Sequence, residues 1–275
     1  MRRLMFFYIL LLLCLPAKAS WQRTITNYAR HSYKAASQNW MIMQSKTGWM
    51  YFANNKGLLE LDGVNWAVYP IHNAKMRTVK AGEDGRIYVG GLQQFGYFVP
   101  NKLGRLDYVC LSDSIDKHMI GNIWNIHIAG NRIYFQSDHA IFYLEKERLH
   151  QIACRDIIYS ALVDKRLYVA GNGLSVLNGD TLLQLPNSTS YINNMSKRIV
   201  GIFPYQNKLL LVSNQHGLFF YENGTFVPFR STADEFLKKN RLRYDERTFI
   251  SIGNSSKWFV IIEFGYREYR TYFYA

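Results

Sequence analysis

The chain has 275 residues, which suffices for one large all-β domain or two small ones, and 48% of them are hydrophobic, which leaves room for a sizeable core. Aromatic residues reach 16%, with 20 Tyr and 17 Phe, a bias that favours strands over helices. The formal net charge is +13, but the charges are scattered with no basic run of five or more, so they read as solvated faces of strands and loops and not as a nucleic-acid stripe.

The N-terminus reads as a secretory leader over residues 1–19. Arg2 and Arg3 precede a twelve-residue apolar run from Leu4 to Leu15, and Ala17-Lys18-Ala19 gives an A-x-A cleavage site before Ser20. The run is too short to span a bilayer, and no later stretch is long and apolar enough to do so. Removal of Arg2, Arg3 and Lys18 takes three charges away and leaves +10. The expected product is an exported, periplasmic protein with no nucleic-acid partner. Export permits a disulfide, but Cys110 and Cys154 fall near the ends of successive repeats, so two buried or half-buried thiols are expected.

Residues 20–38 form a lead-in of mixed composition, able to dock as an extra strand or to cover the first repeat. Four apolar and aromatic runs then follow, Trp40–Gln44, Trp49–Asn54, Leu58–Asp62 and Trp66–Pro70, separated by Lys46-Thr47-Gly48, Asn55-Lys56-Gly57 and Asp62-Gly63. Strand-length runs broken by Gly and Asn predict antiparallel hairpins. The pattern recurs from Met76, Ile123, Ile158 and Val200. An aromatic marker in the second strand falls at Tyr51, Tyr88, Tyr134 and Tyr168, with Leu210 in its place in the fifth repeat. Repeats of about 40 residues with four strands each predict an all-β fold, a β-propeller of four-stranded antiparallel blades, over residues 39–251. Gly90-Gly91 is read as a turn pair. Thr232 and Glu235 suggest a capping box opening a short helix over Ser231–Lys239. Residues 252–275 lose the pattern. Either a small propeller closes with this tail, or the chain is shortened in its sixth blade; shortening is the expectation, because an unclosed propeller leaves bare faces and edges.

No catalytic motif stands out, so the chain is expected not to be an enzyme. There is no nucleophile elbow, phosphate-binding loop or dinucleotide fingerprint. His118, His127, His139 and His150 lie on different strands and turns, no His or Cys pair has metal-ligand spacing, and no cofactor is called for. The turns between second and third strands project from one face and are polar. Asn54, Asn55, Lys56, Gln93, Gln94, Asp138, His139, Asn172, Asn214, Gln215 and His216 are therefore the candidate binding residues. A ring of amides and hydroxyls around an axial mouth suits a neutral, hydroxyl-rich ligand such as an oligosaccharide.

The first two repeats carry specific words: Tyr51-Phe52-Ala53-Asn54-Asn55, Gly57-Leu58-Leu59-Glu60, Asp62-Gly63, Trp66, Arg77, Asp84-Gly85-Arg86-Ile87-Tyr88-Val89-Gly90-Gly91 and Phe95-Gly96-Tyr97. They resemble the exported sensor propellers of bacterial two-component-type regulators. The resemblance is specific over residues 39–112, looser to about 230 and absent after 252. In that family a three-tyrosine β-sandwich, a membrane helix and a histidine-kinase or LuxR-type output follow the propeller. The resemblance implies a ligand-sensing module, often linked to glycan use, whose membrane attachment would run through segments outside this chain. A glycan-active exported enzyme and a protein-interaction scaffold are the alternative functions, and a homodimer is left open.

Overall fold

Short runs of Tyr, Phe, Ile, Leu and Val between Gly- and Asn-bearing turns pair locally because each turn brings the next run back alongside. The computed structural model describes residues 28–72, 75–154, 156–194, 199–213, 216–230, 258–264 and 268–274. The first sheet is β1 (Asn39–Gln44), β2 (Met50–Asn54), β3 (Gly57–Leu61) and β4 (Trp66–Pro70), in that spatial order. The second is β5 (Met76–Ala81), β6 (Ile87–Gly91), β7 (Gln94–Pro100) and β8 (Leu106–Cys110). The third is β9 (Ile123–Ala129), β10 (Arg132–Ser137), β11 (Ala140–Glu145) and β12 (Arg148–Ala153). The fourth is β13 (Tyr159–Val163), β14 (Arg166–Gly171), β15 (Gly173–Asn178) and β16 (Thr181–Gln184), and the fifth is β17 (Ile199–Tyr205), β18 (Lys208–Ser213), β19 (Gly217–Glu222) and β20 (Thr225–Phe229). All neighbouring strands pair antiparallel. The first strands of successive sheets lie against one another, which places β1, β5, β9, β13 and β17 innermost. This is the propeller architecture the repeats predict, with five described blades that do not close into a ring.

The core lies between blades, and strand alternation explains it. In β6, Ile87 and Val89 pack toward blade one while Tyr88 packs toward blade three. In β11, Ala140, Phe142 and Leu144 face blade two, whereas Ile141 and Tyr143 face blade four. Blade interiors are thus covered on both sides, so their strands read as nearly continuous apolar runs. The tyrosine markers join this packing: Tyr88 pairs across the strands with Tyr97, and Tyr134 with Tyr143. Arg86 stacks over Tyr97 at 4.4 Å and Arg132 over Tyr143 at 4.5 Å.

The described part of the lead-in, residues 28–38, covers the outer face of blade one. Tyr33 and Ala35 join Leu59, Phe52, Trp66 and Val68 in a separate apolar cluster. A single helical turn, α1 (Arg30–Tyr33), ends at Lys34 in the left-handed region, and Trp66 lies within 5.4 Å of the Tyr33 and Phe52 rings. Two further helices fill joints between blades. The turn α2 (Lys117–Ile120) follows blade two, with the Asp116 carboxylate accepting from the His118 amide. Between blades four and five, α3 (Ser188–Asn194) buries Ile192 and stacks Tyr191 on Phe226 at 4.0 Å.

Gly90-Gly91 is not a turn. Both residues end β6, where a side chain on Gly90 would collide with Ile123 of blade three and one on Gly91 with the Lys75 carbonyl. Close approach of neighbouring chains requires the pair. The Cys110 and Cys154 thiols are free and half-buried, and burial pushes the Cys154 thiol up to about 11. The helix expected over 231–239 lies outside the described residues. Within the tail, β21 (Trp258–Phe264) and β22 (Glu268–Tyr274) pair as an antiparallel hairpin.

Candidate functional site at the axial mouth

The second residue of an inner strand is skipped in four of the five blades. Asn39 pairs with Asn54 and Met41 with Ala53, so Trp40 has no partner. Arg77 is bypassed between Met76 and Thr78, Trp124 between Ile123 and Asn125, and Val200 between Ile199 and Gly201. Each is a β-bulge, which bends the strand and re-aims one side chain. All four sit where the inner strand begins, at the level of the turn between second and third strands. That is the face the polar turns mark in the sequence.

Three of these side chains converge. The Arg77 guanidinium carbon lies 3.7 Å from the centre of the Trp40 ring and 5.9 Å from that of Trp124. The two indoles, from blades one and three, meet edge to face at 6.3 Å over blade two. Turn residues hold them. The Asn55 side-chain oxygen accepts from Trp40 Nε1 at 2.8 Å and from Arg77 Nη1 at 3.1 Å. Asp138 Oδ1 accepts from Trp124 Nε1 at 2.6 Å, and its Oδ2 accepts from the Asn122 backbone and side-chain amides at 2.9 and 3.3 Å. Burial alone draws the Arg77 guanidinium below its ordinary value, though an arginine stays charged at neutral pH. Its Nε is buried without a hydrogen-bond partner.

Of the residues singled out in the sequence, Asn55 and Asp138 belong to this cluster. Asn54 does not face the mouth. It is fully buried, and its side chain receives the Ala36 and Lys56 amides while donating to the Ala36 and Gln38 carbonyls and to Asn39. Its amide fastens the lead-in to blade one, so the neighbouring turn residue takes the site role. Lys56 is exposed and donates to the Lys34 carbonyl. Gln93 turns with φ 57° and its backbone amide donates to the Gly121 carbonyl, linking blade two to the loop after α2. Gln94 starts β7 and donates to Cys110 Sγ at 3.3 Å. His139 is exposed beside Gly121. The exposed Asn172 offers its carbonyl to Gln184 of β16 and Thr189 of α3, and the His216 amide donates to Ser213. Asn214 and Gln215 lie outside the described residues. Trp40, Arg77 and Trp124 were not among the binding residues expected from the sequence, where Arg77 figured only among the words that carry the resemblance.

Deeper along the inner strands a polar chain crosses from blade three to blade four. His127 Nε2 lies 2.8 Å from Ser160 Oγ, which donates to Gln136 Oε1 at 3.1 Å, and Asn125 Nδ2 donates to the same oxygen at 2.7 Å. Burial, with Lys80 nearby, pulls the His127 imidazole down to about 4. Among the described residues, no group of three His, Cys, Asp or Glu side chains is placed to hold a metal, and no helix is long and apolar enough to cross a membrane.

No family model matches the sequence, and no curated protein matches it. Solved structures do. An extracellular domain assigned to a hybrid two component system of B. thetaiotaomicron superposes with a TM-score of 0.57 at 12% identity, over 88% of this chain and 33% of that one. A second such domain from the same organism gives 0.54 at 13% identity, over 72% and 28%. The chain therefore spans about a third of these extracellular domains. Virginiamycin B lyase from Staphylococcus aureus gives 0.53 at 15% identity, over 70% of each chain. At such identities the likenesses establish the fold. They also correct one expectation: an enzyme is built on this same propeller, so neither the fold nor the absence of familiar short motifs excludes catalysis.

Proposed function

We propose that the chain is the extracytoplasmic sensor propeller of a transmembrane signalling or transcriptional regulator, taking a glycan or other small ligand at the axial mouth. The observation that carries this reading is the set of bulges. Three side chains from three blades are aimed at one point, with Asn55 and Asp138 holding them. Bulges cluster beside binding sites because they re-aim side chains at a local cost to pairing. Two indoles with a few oriented polar groups match the make-up of small-ligand sites. A ligand bridging blades one to three would bias how the blades sit together, and that is what a sensor must transmit. The propeller fold shared with extracellular domains of two component systems supports the same reading.

Isothermal titration of the purified chain with a panel of oligosaccharides tests it. A member of the panel should bind wild type, and Trp124→Ala should weaken that binding at least tenfold while the protein stays folded. Binding unaffected by Trp124→Ala and Trp40→Ala would remove the mouth from the account. Turnover of the oligosaccharide would replace sensing with catalysis.

A further inference from the structure

Among the described residues, three arginines of this propeller sit over aromatic rings, and two of them are closed by carboxylates. Arg86, over Tyr97, pairs with Glu147 at 2.8 Å; Arg132, over Tyr143, pairs with Glu145 and Asp180, each at 2.8 Å. Arg77 over Trp40 is the third, and no described carboxylate pairs with it. Among the described residues its side-chain hydrogen bond goes from Nη1 to the neutral Asn55 amide. The nearby Asp138 is committed, with its two oxygens taken by Trp124 and Asn122. A partly buried guanidinium without a counter-charge is costly, and a neutral ligand would leave it so.

From this contrast we infer that the ligand of the axial mouth is an acidic sugar, and that its carboxylate completes Arg77 as Glu145 completes Arg132. This rests on the reading of the mouth as the ligand site. Nη1 and Nη2 form the edge of the fork away from the buried Nε, and such an edge matches the two oxygens of a carboxylate. The exposed Lys56, next to Asn55, adds positive charge at the same turn, and the positive net charge, +10 without the leader, favours the approach of an anion.

The test is calorimetric titration of the wild-type chain with uronate-containing oligosaccharides, with their carboxyl-reduced counterparts and with sulfated oligosaccharides of equal charge. A uronate oligomer should bind at least tenfold more tightly than its reduced form, with affinity falling as salt rises. Arg77→Met should abolish that preference, so that the uronate oligomer binds the variant no more tightly than its reduced form does. Equal binding of acidic and reduced forms would overturn the acidic-ligand inference while the glycan site stands. Tighter binding of the sulfated oligomer would overturn the carboxylate assignment, and binding of none of the three would overturn both readings. The comparison of acidic with reduced ligand needs no variant, so it holds even if Arg77→Met fails to fold.

Discussion

Acidification should loosen the joint between blades three and four, and His127 should be the cause. In the folded chain its Nε2 is committed to Ser160, itself fully buried and already donating to Gln136. A second ring proton would have to be accommodated beside Lys80 in an enclosed setting, so the imidazole stays neutral down to about 4. The unfolded chain protonates near 6.5. The folded value is therefore depressed. Stability is complete above pH 6.5 and falls as the pH drops toward 4, because only the unfolded state takes up the proton in that window. The gap corresponds to roughly 3 kcal/mol at 1.36 kcal/mol per pH unit, and the partial exposure of the residue lowers the expected loss to about 2 kcal/mol. Urea unfolding of wild type and His127→Gln between pH 7.5 and 4.5 would measure it. Glutamine can still donate to Ser160 but cannot titrate. Wild type should lose about 2 kcal/mol more than the variant across this range. Glu60, raised by burial, is present in both proteins and cancels in the comparison. Parallel loss of stability in the two proteins would refute the assignment.

Other perturbations should separate structural pegs from surface decoration. Asn54→Ala removes the side chain that pairs with the Ala36 and Lys56 amides and the Ala36 carbonyl, and should cost about 3 kcal/mol in denaturant unfolding, with earlier proteolysis of the lead-in. Gly57→Ala meets both a positive φ of 139° and the Tyr69 carbonyl, so it should destabilise by at least ~2 kcal/mol; a neutral result would mean that the turn can relax. Arg132→Met, despite its two carboxylate partners, should cost under about 1 kcal/mol, because Asp180 is 60% exposed and the pairs are screened. Trp66→Ala removes the ring around which Tyr28, Tyr33 and Phe52 gather and should cost about 3 kcal/mol in a thermal or denaturant melt.

Much of the propeller was legible because its information is local. Turn residues such as Asn55-Lys56-Gly57 delimit the strands, and the tyrosine markers fix the second strand of the first four blades. That the turns between second and third strands share one side of each blade was legible too, since a meander puts them there. The bulges at Trp40, Arg77 and Trp124 were not, because a bulge is a mismatch between two strands and leaves no mark in either alone. Asn54 and Asn55 look alike in sequence; which is pulled inward depends on where the chain at residues 36–39 docks. Gly90-Gly91 looked like a turn because glycine's tolerance for positive φ and its lack of a side chain give the same letter for different needs.

The most direct test of the axial mouth is a nitrogen-15 NMR titration that follows the tryptophan indole N–H signals as an oligosaccharide binds, with Trp40 and Trp124 assigned by single Phe substitutions. Those two signals should shift, while Trp66 under the lead-in and the exposed Trp49 stay in place. Shifts confined to Trp49 or Trp66, with Trp40 and Trp124 unmoved at saturation, would place the ligand elsewhere and contradict the account.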